Sequence, residues 1–220
     1  MPLLTITNLE KAYASPDGSQ TRIIDIPQFE MDEGAHAALR GSSGAGKTTF
    51  LNLIAGILQA DGGRIVVAGE EMTALSESGR DNLRARHIGY IFQTFNLLAG
   101  YTALENVMLG MMFGKGVDTE FAQHLLERVG LAERMKYRPS QLSVGQQQRV
   151  AVARAIANRP SLVLADEPTG NLDHHHANEA VTLIREICDE NNAALLIVSH
   201  DADVLEQFEV TTDFAELNCV

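Results

Sequence analysis

The stretch GSSGAGKT, residues 41–48, decides the fold of this 220-residue chain. It fits the pattern G-x-x-x-x-G-K-[ST], in which glycines let backbone N–H groups surround a phosphate and the lysine reaches the terminal phosphate oxygens. A strand-like run precedes it and a helical pattern follows, so the helix dipole also favours an anion there. The alternative is a glycine-rich turn that binds nothing. We predict a phosphate cradle built from Gly41, Ser42, Ser43, Gly44, Ala45, Gly46, Lys47, Thr48 and Thr49.

The apolar pattern around this loop predicts an α/β fold. Short β-branched or apolar runs typical of strands occur at Leu3–Thr7, Ile23–Phe29, Ala35–Arg40, Arg64–Ala68, Ile88–Phe92, Leu162–Ala165 and Ala194–Val198. Helical spacing marks residues 48–58, 120–129, 146–158 and 177–188. The last helical pattern lies between two buried strands, which predicts a parallel crossover. We expect a mixed sheet core, an antiparallel β region near the N-terminus and an inserted helical segment.

The composition, with 45% hydrophobic and 21% charged residues, is that of a folded soluble domain. No repeat or long linker divides the chain, so we expect a single domain over residues 1–220. Its 17 Lys and Arg against 29 Asp and Glu give a formal net charge of −12. Such a surface repels phosphodiester backbones, and we expect no nucleic-acid partner. The segment after Arg185 has neither Lys nor Arg and carries the acids Glu186, Asp189, Glu190, Asp201, Asp203, Glu206, Glu209, Asp213 and Glu216.

The cysteines and the apolar runs predict where the chain works. Cys188 and Cys219 form no disulfide framework or metal spacing, which is typical of a reducing compartment. The N-terminal segment lacks the pattern of a targeting sequence. The longest apolar run, Val107–Gly114, is much shorter than the about 20 residues that span a bilayer. We expect a cytoplasmic protein with no membrane span of its own.

Two adjacent carboxylates, Asp166 and Glu167, follow the predicted buried strand Leu162–Ala165. Open α/β sheets bind ligands at the carboxyl ends of their strands. Successive residues at a strand end point in different directions, so the two acids should have different tasks. We assign Asp166 to Mg²⁺, together with Thr48, and Glu167 to the general base that activates water against the γ-phosphate. The alternative is a pair of acids in solvent.

The segment LSVGQ, residues 142–146, leads directly into a helical pattern. Ser143 and Gln146 have the spacing of a capping box, which needs no function. Together with the other motifs and in their order, however, the segment resembles the signature of the ATP-binding cassette (ABC) family. Those motifs are the phosphate loop, Gln93 after IGYIF, DEPTGNLD and VSHD. The resemblance covers essentially the whole chain and implies the P-loop NTPase fold with ATP and Mg²⁺ as ligands.

The resemblance implies that two cassettes, as in a homodimer, pack head to tail around ATP. Each ATP then lies between the phosphate loop of one copy and the signature helix of the other. Ser143, Gly145 and Gln146 act on the γ-phosphate bound to the second copy, through exposed N–H groups and the helix dipole. Val144 stands where glycine is common in the family, and its narrower backbone freedom is expected to lower turnover.

The resemblance also implies roles for four further residues, each matched separately to a family motif. Tyr13 matches the aromatic residue that stacks on adenine, with a core tyrosine as the alternative. Gln93 matches the glutamine that contacts Mg²⁺ and the attacking water, with a buried structural amide as the alternative. His200 matches the histidine that contacts the γ-phosphate, and Asp173 the aspartate that links the half-sites. The expected catalytic set is therefore Lys47, Gln93, Glu167 and His200.

Three consecutive histidines, residues 174–176, have the composition of a metal-binding tract. Consecutive side chains on a regular helix or strand cannot converge on one ion. We predict a solvated loop there.

The resemblance also divides the chain into two lobes. An ATP-binding core would comprise about residues 1–93 and 159–220, and a helical lobe about residues 94–158. The alternatives for the stretch FNLL are that it contacts a transmembrane permease subunit through Phe95, Leu97 and Leu98, or that these fill the core of the lobe.

The motifs FNLL, ENV and DEPTGNLD resemble a subgroup that includes lipoprotein-release and macrolide-export ATPases. We therefore expect an ATPase that drives an ABC transporter of exporter or lipoprotein-release type, located on the inner face of the cell membrane through its permease partner. The alternative is an ATP-gated coupling module of a non-transport membrane complex, as in cell division.

Overall fold

The computed structural model describes residues 2–14 and 18–220, apart from the side chains of His174 and His175. The strands of this part form two separate sheets. The first is antiparallel and contains β1 (Leu4–Ala14), β2 (Gln20–Met31), β4 (Gly62–Val67) and β5 (Glu70–Glu71), in the order β2-β1-β4-β5. The second is parallel and contains β3 (His36–Arg40), β6 (Ile88–Ile91), β7 (Leu162–Asp166), β8 (Ala194–Ser199) and β9 (Val210–Asp213), in the order β6-β7-β8-β3-β9.

The helices of the described part surround the parallel sheet and connect its strands. They are α1 (Lys47–Ile54), α2 (Glu77–His87), α3 (Ala103–Met111), α4 (Thr119–Arg128), α5 (Val144–Ile156), α6 (His174–Glu190), α7 (Ala202–Leu205) and α8 (Phe214–Leu217). None of the helices in these described ranges combines the length and the apolar composition that a bilayer span requires. The expected α/β architecture of parallel and antiparallel sheets with helices is confirmed.

The central strands of the parallel sheet are buried on both faces, as their continuous apolar sequences predict. Side chains alternate along each strand. In β7, Val163 and Ala165 pack in the same cluster as α3–α6, whereas Leu162 and Leu164 pack in the cluster that contains α1 and the antiparallel sheet. Strands β7 and β8 pair in parallel, and α6 connects them in the chain. The predicted parallel crossover is therefore confirmed. The functional loops follow the carboxyl ends of these strands.

The stretch after β6 settles the two alternatives for Phe95, Leu97 and Leu98. Phe95 is only 7% exposed and Leu97 is partly buried, so these two face the interior. Leu98 is exposed. Phe95 therefore fits the alternative of an inward-facing side chain, in a turn where residues 95 and 96 are both left-handed.

Strand β5 and helices α3, α7 and α8 match no predicted pattern, and three further elements differ from the sequence expectation. Helix α2 was not predicted, because its sequence is mostly polar and Leu83 is its one fully buried residue. Strand β9 was not predicted either, because it pairs only with β3 at the sheet edge and its residues are exposed or half-buried. The histidine tract begins α6 and is not a loop, since the Asp173 carboxylate accepts a hydrogen bond from the His176 backbone and caps the helix.

Candidate nucleotide site

The phosphate loop connects β3 to α1, and Gly46 ends it in a left-handed conformation with φ of 96°. A Cβ at this position would lie 3.1 Å from both Cγ2 and the carbonyl oxygen of Ile23, so only glycine fits the turn. Helix α1 starts with no side-chain cap. Its first backbone N–H groups therefore remain available to a ligand such as a phosphate.

Lys47 is buried and its ammonium group is held inside this loop. Nζ donates hydrogen bonds to the carbonyl oxygens of Gly41 at 2.7 Å and Ser42 at 2.8 Å. It also lies 3.8 Å from Oε1 of Glu167. A buried charge is tolerated only when it is compensated, and these contacts keep the cation at the mouth of the cradle.

The two carboxylates at the end of β7, Asp166 as its last residue and Glu167 directly after it, have different surroundings. Asp166 is buried and accepts a hydrogen bond from the Thr48 hydroxyl at 3.2 Å. Burial raises the pKa of Asp166, an effect that the Thr48 hydrogen bond opposes. Glu167 has a left-handed backbone with φ of 44° and lies 2.9 Å, through Oε2, from Nδ1 of His200. A non-glycine residue in this conformation is uncommon and is typical of functional sites.

These groups line one pocket of about 370 Å³. Tyr13 lines it just after the register shift between β1 and β2 and is 43% exposed, so it is not a core residue. Gln93 is also exposed, which removes the alternative of a buried structural amide. The lining contains most of the residues that the sequence predicts, namely Tyr13, Ser43, Gly44, Gly46, Lys47, Thr48, Thr49, Gln93, Asp166, Glu167 and His200, and adds Ile23.

The predicted signature residues lie outside this pocket, at the start of α5. Ser143 caps that helix: its hydroxyl accepts from the Gln146 backbone N–H at 3.3 Å, and Gln146 Oε1 accepts from the Ser143 N–H at 3.1 Å. Ser143 is exposed and Gly145 is half-exposed. Within one copy, the structure does not bring these residues to the phosphate loop.

A family model for the ABC transporter matches residues 24–170. The chain belongs to the ABC transporter family. It is 43% identical to the lipoprotein-releasing system ATP-binding protein LolD of Pseudomonas syringae pv. tomato and 40% identical to LolD of Pseudomonas fluorescens. Each alignment spans 210 residues, which is 94% of this chain and 92% of the relative. As a family member, the chain is an ATP-binding cassette and an ATPase.

Solved structures of another ABC cassette have the same fold. A dimeric post-hydrolysis state of the ATP-binding cassette MJ0796 bound to ADP and Pi superimposes with a TM-score of 0.85 at 31% identity, covering 94% of this chain and 91% of that one. A dimeric structure of MJ0796, described as a bacterial ABC transporter cassette, gives a TM-score of 0.83 at 32% identity and covers 94% of both chains.

Two side chains of this ABC cassette that sequence reasoning missed support the loops of the site. Gln148 is buried on α5 and donates to the Pro168 carbonyl oxygen at 2.6 Å, next to the carboxylate pair. Asn171 donates to the Gln93 carbonyl oxygen at 2.7 Å. Gln148 lies in an otherwise apolar helix face, which is the one sequence signal for such a role.

The described part of the histidine tract, at the start of α6, does not form a metal site. The Nδ1 atom of His176 lies 2.8 Å from both oxygens of Asp173. Across residues 2–14 and 18–220, with the side chains of His174 and His175 outside the description, no group of three or more His, Cys, Asp or Glu could hold a metal ion. His176 supports the residue that caps α6.

Proposed function

We propose that this ABC cassette is the ATP-hydrolysing subunit of a lipoprotein-releasing transporter. The observation that carries the proposal is the pocket that unites the phosphate loop with Gln93, Asp166, Glu167 and His200. The similarity to LolD over nearly the whole chain supports the lipoprotein-release part of the proposal.

The geometry supports a specific division of labour among the pocket residues. Glu167 orients and deprotonates the attacking water, and His200 holds the carboxylate in place from 2.9 Å. Lys47 neutralises charge on the terminal phosphates, and Tyr13 offers its exposed ring to adenine. The fixed electrostatic surroundings of the γ-phosphate then supply most of the catalysis.

The oxygen donors of the site suit a magnesium ion. The Thr48 hydroxyl and Asp166 carboxylate already lie 3.2 Å apart, and the Gln93 amide lines the same pocket. Hydroxyl, carboxylate and amide oxygens are the hard ligands that Mg²⁺ prefers. We assign these three residues to Mg²⁺, which neutralises phosphate charge when bound.

The exposed start of α5 supports a site shared between two copies. Ser143, Gly145 and Gln146 would act on the γ-phosphate held by the second chain, and Asp173 would link the two half-sites. A helix N-terminus in solvent is suited to an anion that arrives from outside the chain. ATP binding then closes the two cassettes and hydrolysis releases them.

We place the membrane partner on the surface of the helical lobe, residues 94–158, and assign residues 1–93 and 159–220 to the ATP-binding core. A groove of about 430 Å³ runs between α2, α3 and α5. Phe113 lines it and is 79% exposed. Clusters of exposed apolar side chains are typical of protein contacts, and outside the groove the same lobe exposes Leu98, Tyr101, Met112, Val117 and Val144. A cassette held there would be cytoplasmic and peripheral on the inner face of the cell membrane.

The substitution Glu167→Gln tests the ATPase mechanism. Because the amide cannot accept the proton of water, we expect hydrolysis to fall by roughly 10²- to 10⁴-fold while ATP binding is kept. The variant should accumulate as an ATP-bound dimer in light scattering. The exposed Glu206→Gln serves as the matched control and should behave as the wild type.

A Glu167→Gln variant that stays monomeric at saturating ATP would contradict the shared site. The transporter part is tested separately, by purifying the full chain from detergent-solubilised membranes and identifying the bound membrane protein. A lipoprotein-release permease is the expected result. A cell-division membrane protein in its place would favour the coupling-module alternative.

A further inference from the structure

Arg154 on α5 connects the groove to the turn that follows Gln93. Its Nη2 donates to the Phe95 carbonyl oxygen and its Nη1 to the Asn96 carbonyl oxygen, both at 2.6 Å. Both acceptors belong to left-handed residues, with φ of 57° and 49°. Two successive side-chain-bearing residues seldom adopt this conformation without support from their surroundings. The arginine supplies that support from the groove side.

The guanidinium of Arg154 has no carboxylate partner within the described residues. Asp81, which lines the same groove, is paired with Arg84. The burial of Arg154 lowers its pKa, with no opposing charge near enough to reverse the effect. A partly buried cation without a counter-ion is costly. The two carbonyl groups it binds therefore account for its presence at this position.

The stem of Arg154 is confined by α3, which fixes where the guanidinium lies. A Cβ at Gly110 would come 3.1 Å from Cγ of Arg154 and 2.9 Å from its carbonyl oxygen. Helix α3 can pass this close only because residue 110 is a glycine. A planar guanidinium on a confined stem is pre-organised to donate two hydrogen bonds at once.

The turn from Gln93 to Asn96 is thus held from two sides. Asn171 donates to the Gln93 carbonyl oxygen on the pocket side at 2.7 Å, and Arg154 binds the carbonyl groups on the groove side. We propose that Arg154 is a positioning residue for Gln93: it fixes the left-handed turn and, through it, the placement of the Gln93 amide in the nucleotide pocket. This inference rests on the proposed function, in which Gln93 serves hydrolysis.

The experiment compares full-length chains carrying Arg154→Met, Gln93→Ala or both. Arg154→Met keeps the stem and removes both hydrogen bonds, so we expect kcat to fall about tenfold to a hundredfold through misplacement of Gln93. KM for ATP should stay within about twofold, since the phosphate loop and Tyr13 are untouched. If Arg154 acts through Gln93, the double variant should be no slower than Gln93→Ala alone.

Arg149→Met is the matched control on the same helix, because Arg149 donates to the Val129 carbonyl oxygen at 3.1 Å and does not touch the turn. Any effect it has should multiply with that of Gln93→Ala. Arg154→Lys keeps the charge but has a single donor nitrogen in place of the planar guanidinium, so it should recover part of the kcat lost in Arg154→Met. It replaces Arg154→Met in the cycle if the latter folds poorly.

The proposal would be overturned if Arg154→Met lowered kcat by the same factor in the Gln93→Ala background as it does in the wild type. An unchanged kcat in Arg154→Met, or a loss that appears only in KM, would have the same consequence. A Gln93→Ala chain with wild-type kcat would also overturn it, while leaving the proposed ATPase function intact. A different result would contradict the proposed ATPase function, namely a wild-type chain that does not hydrolyse ATP.

Discussion

The helices α1 and α5 both begin where a phosphate is expected, but their first turns are built differently. Helix α1 follows Gly46 with no side-chain cap and opens into a pocket in its own chain. Helix α5 follows Ser143, whose capping box with Gln146 satisfies the N–H groups of Ser143 and Gln146, and it opens to solvent. Both carry the positive end of a helix dipole. The first is uncapped, whereas at the second an anion that binds the Gln146 N–H must replace an existing hydrogen bond to Ser143.

The charges around the two helix starts also favour an anion at α1 over one at α5. Lys47 lies in the first turn of α1, while the first turn of α5 contains no basic residue. Charge-assisted hydrogen bonds to phosphate are about twice as strong as neutral ones. We infer that α1 supplies most of the ATP affinity of one chain, and that α5 contributes only after two chains close. Substitutions at the two starts should therefore change different measurements.

Lys47→Ala should have the largest effect. Lys47 is the one lysine or arginine among the residues described as lining the pocket, and the loss of a charged hydrogen bond of about 1.5–3 kcal/mol predicts a decrease in ATP affinity of roughly 10- to 150-fold. Calorimetric titration with ATP measures it. Lys115→Ala removes an exposed lysine that also follows a glycine and should leave the affinity unchanged. If Lys47→Ala bound ATP as tightly as the wild type, the inference that the start of α1 supplies most of the ATP affinity would be wrong.

Ser143→Ala should have a smaller and different effect. ATP affinity of the single chain should be unchanged, because Ser143 is outside the pocket. Turnover should fall by about tenfold, as the loss of one hydrogen bond to a charged group predicts. The measurement is kcat together with ATP affinity.

The control for Ser143→Ala is Thr102→Ala, which removes an equivalent capping box at the start of α3. Both substitutions should cost about 1 kcal/mol of stability, since both remove an N-cap. Only Ser143→Ala should slow hydrolysis. A comparable loss of kcat in Thr102→Ala would show that helix fraying alone explains the effect, and α5 would lose its special role.

The parts of this molecule that its sequence predicts are those where one local pattern fixes the conformation. The loop before α1 is such a case, because its glycines, its lysine and the flanking strand and helix all indicate one structure. Strand β7 and the two acids after it are another, because a run of buried apolar residues ends at charged ones.

The parts that could not be predicted depend on contacts between distant segments. Phe95 lies inward in a left-handed turn whose carbonyl group accepts a hydrogen bond from Arg154, 59 residues away, and no spacing in the sequence reports that contact. Helix α2 has almost no apolar face, so periodicity gives no signal. Ile23, which lines the pocket, lies where the pairing of β1 with β2 shifts register, between the pairs Lys11–Ile24 and Ala12–Arg22. Tertiary contacts, and not local propensity, decide these positions.

Val144→Gly should have the smallest effect and tests how the two helix starts differ in backbone freedom. Val144 is 46% exposed at the first position of α5, so its side chain contributes little packing. Glycine is less favourable than valine in a helix by a few tenths of a kcal/mol, and a small decrease in melting temperature is expected. Turnover should rise by no more than about threefold, because the freer backbone adjusts more easily to a phosphate.

Val144→Ala is the control that separates the effect of the backbone from that of the side chain. It should leave kcat near the wild-type value. If Val144→Ala raises kcat as much as Val144→Gly does, side-chain bulk and not backbone freedom limits α5, and the difference between the helix starts is steric.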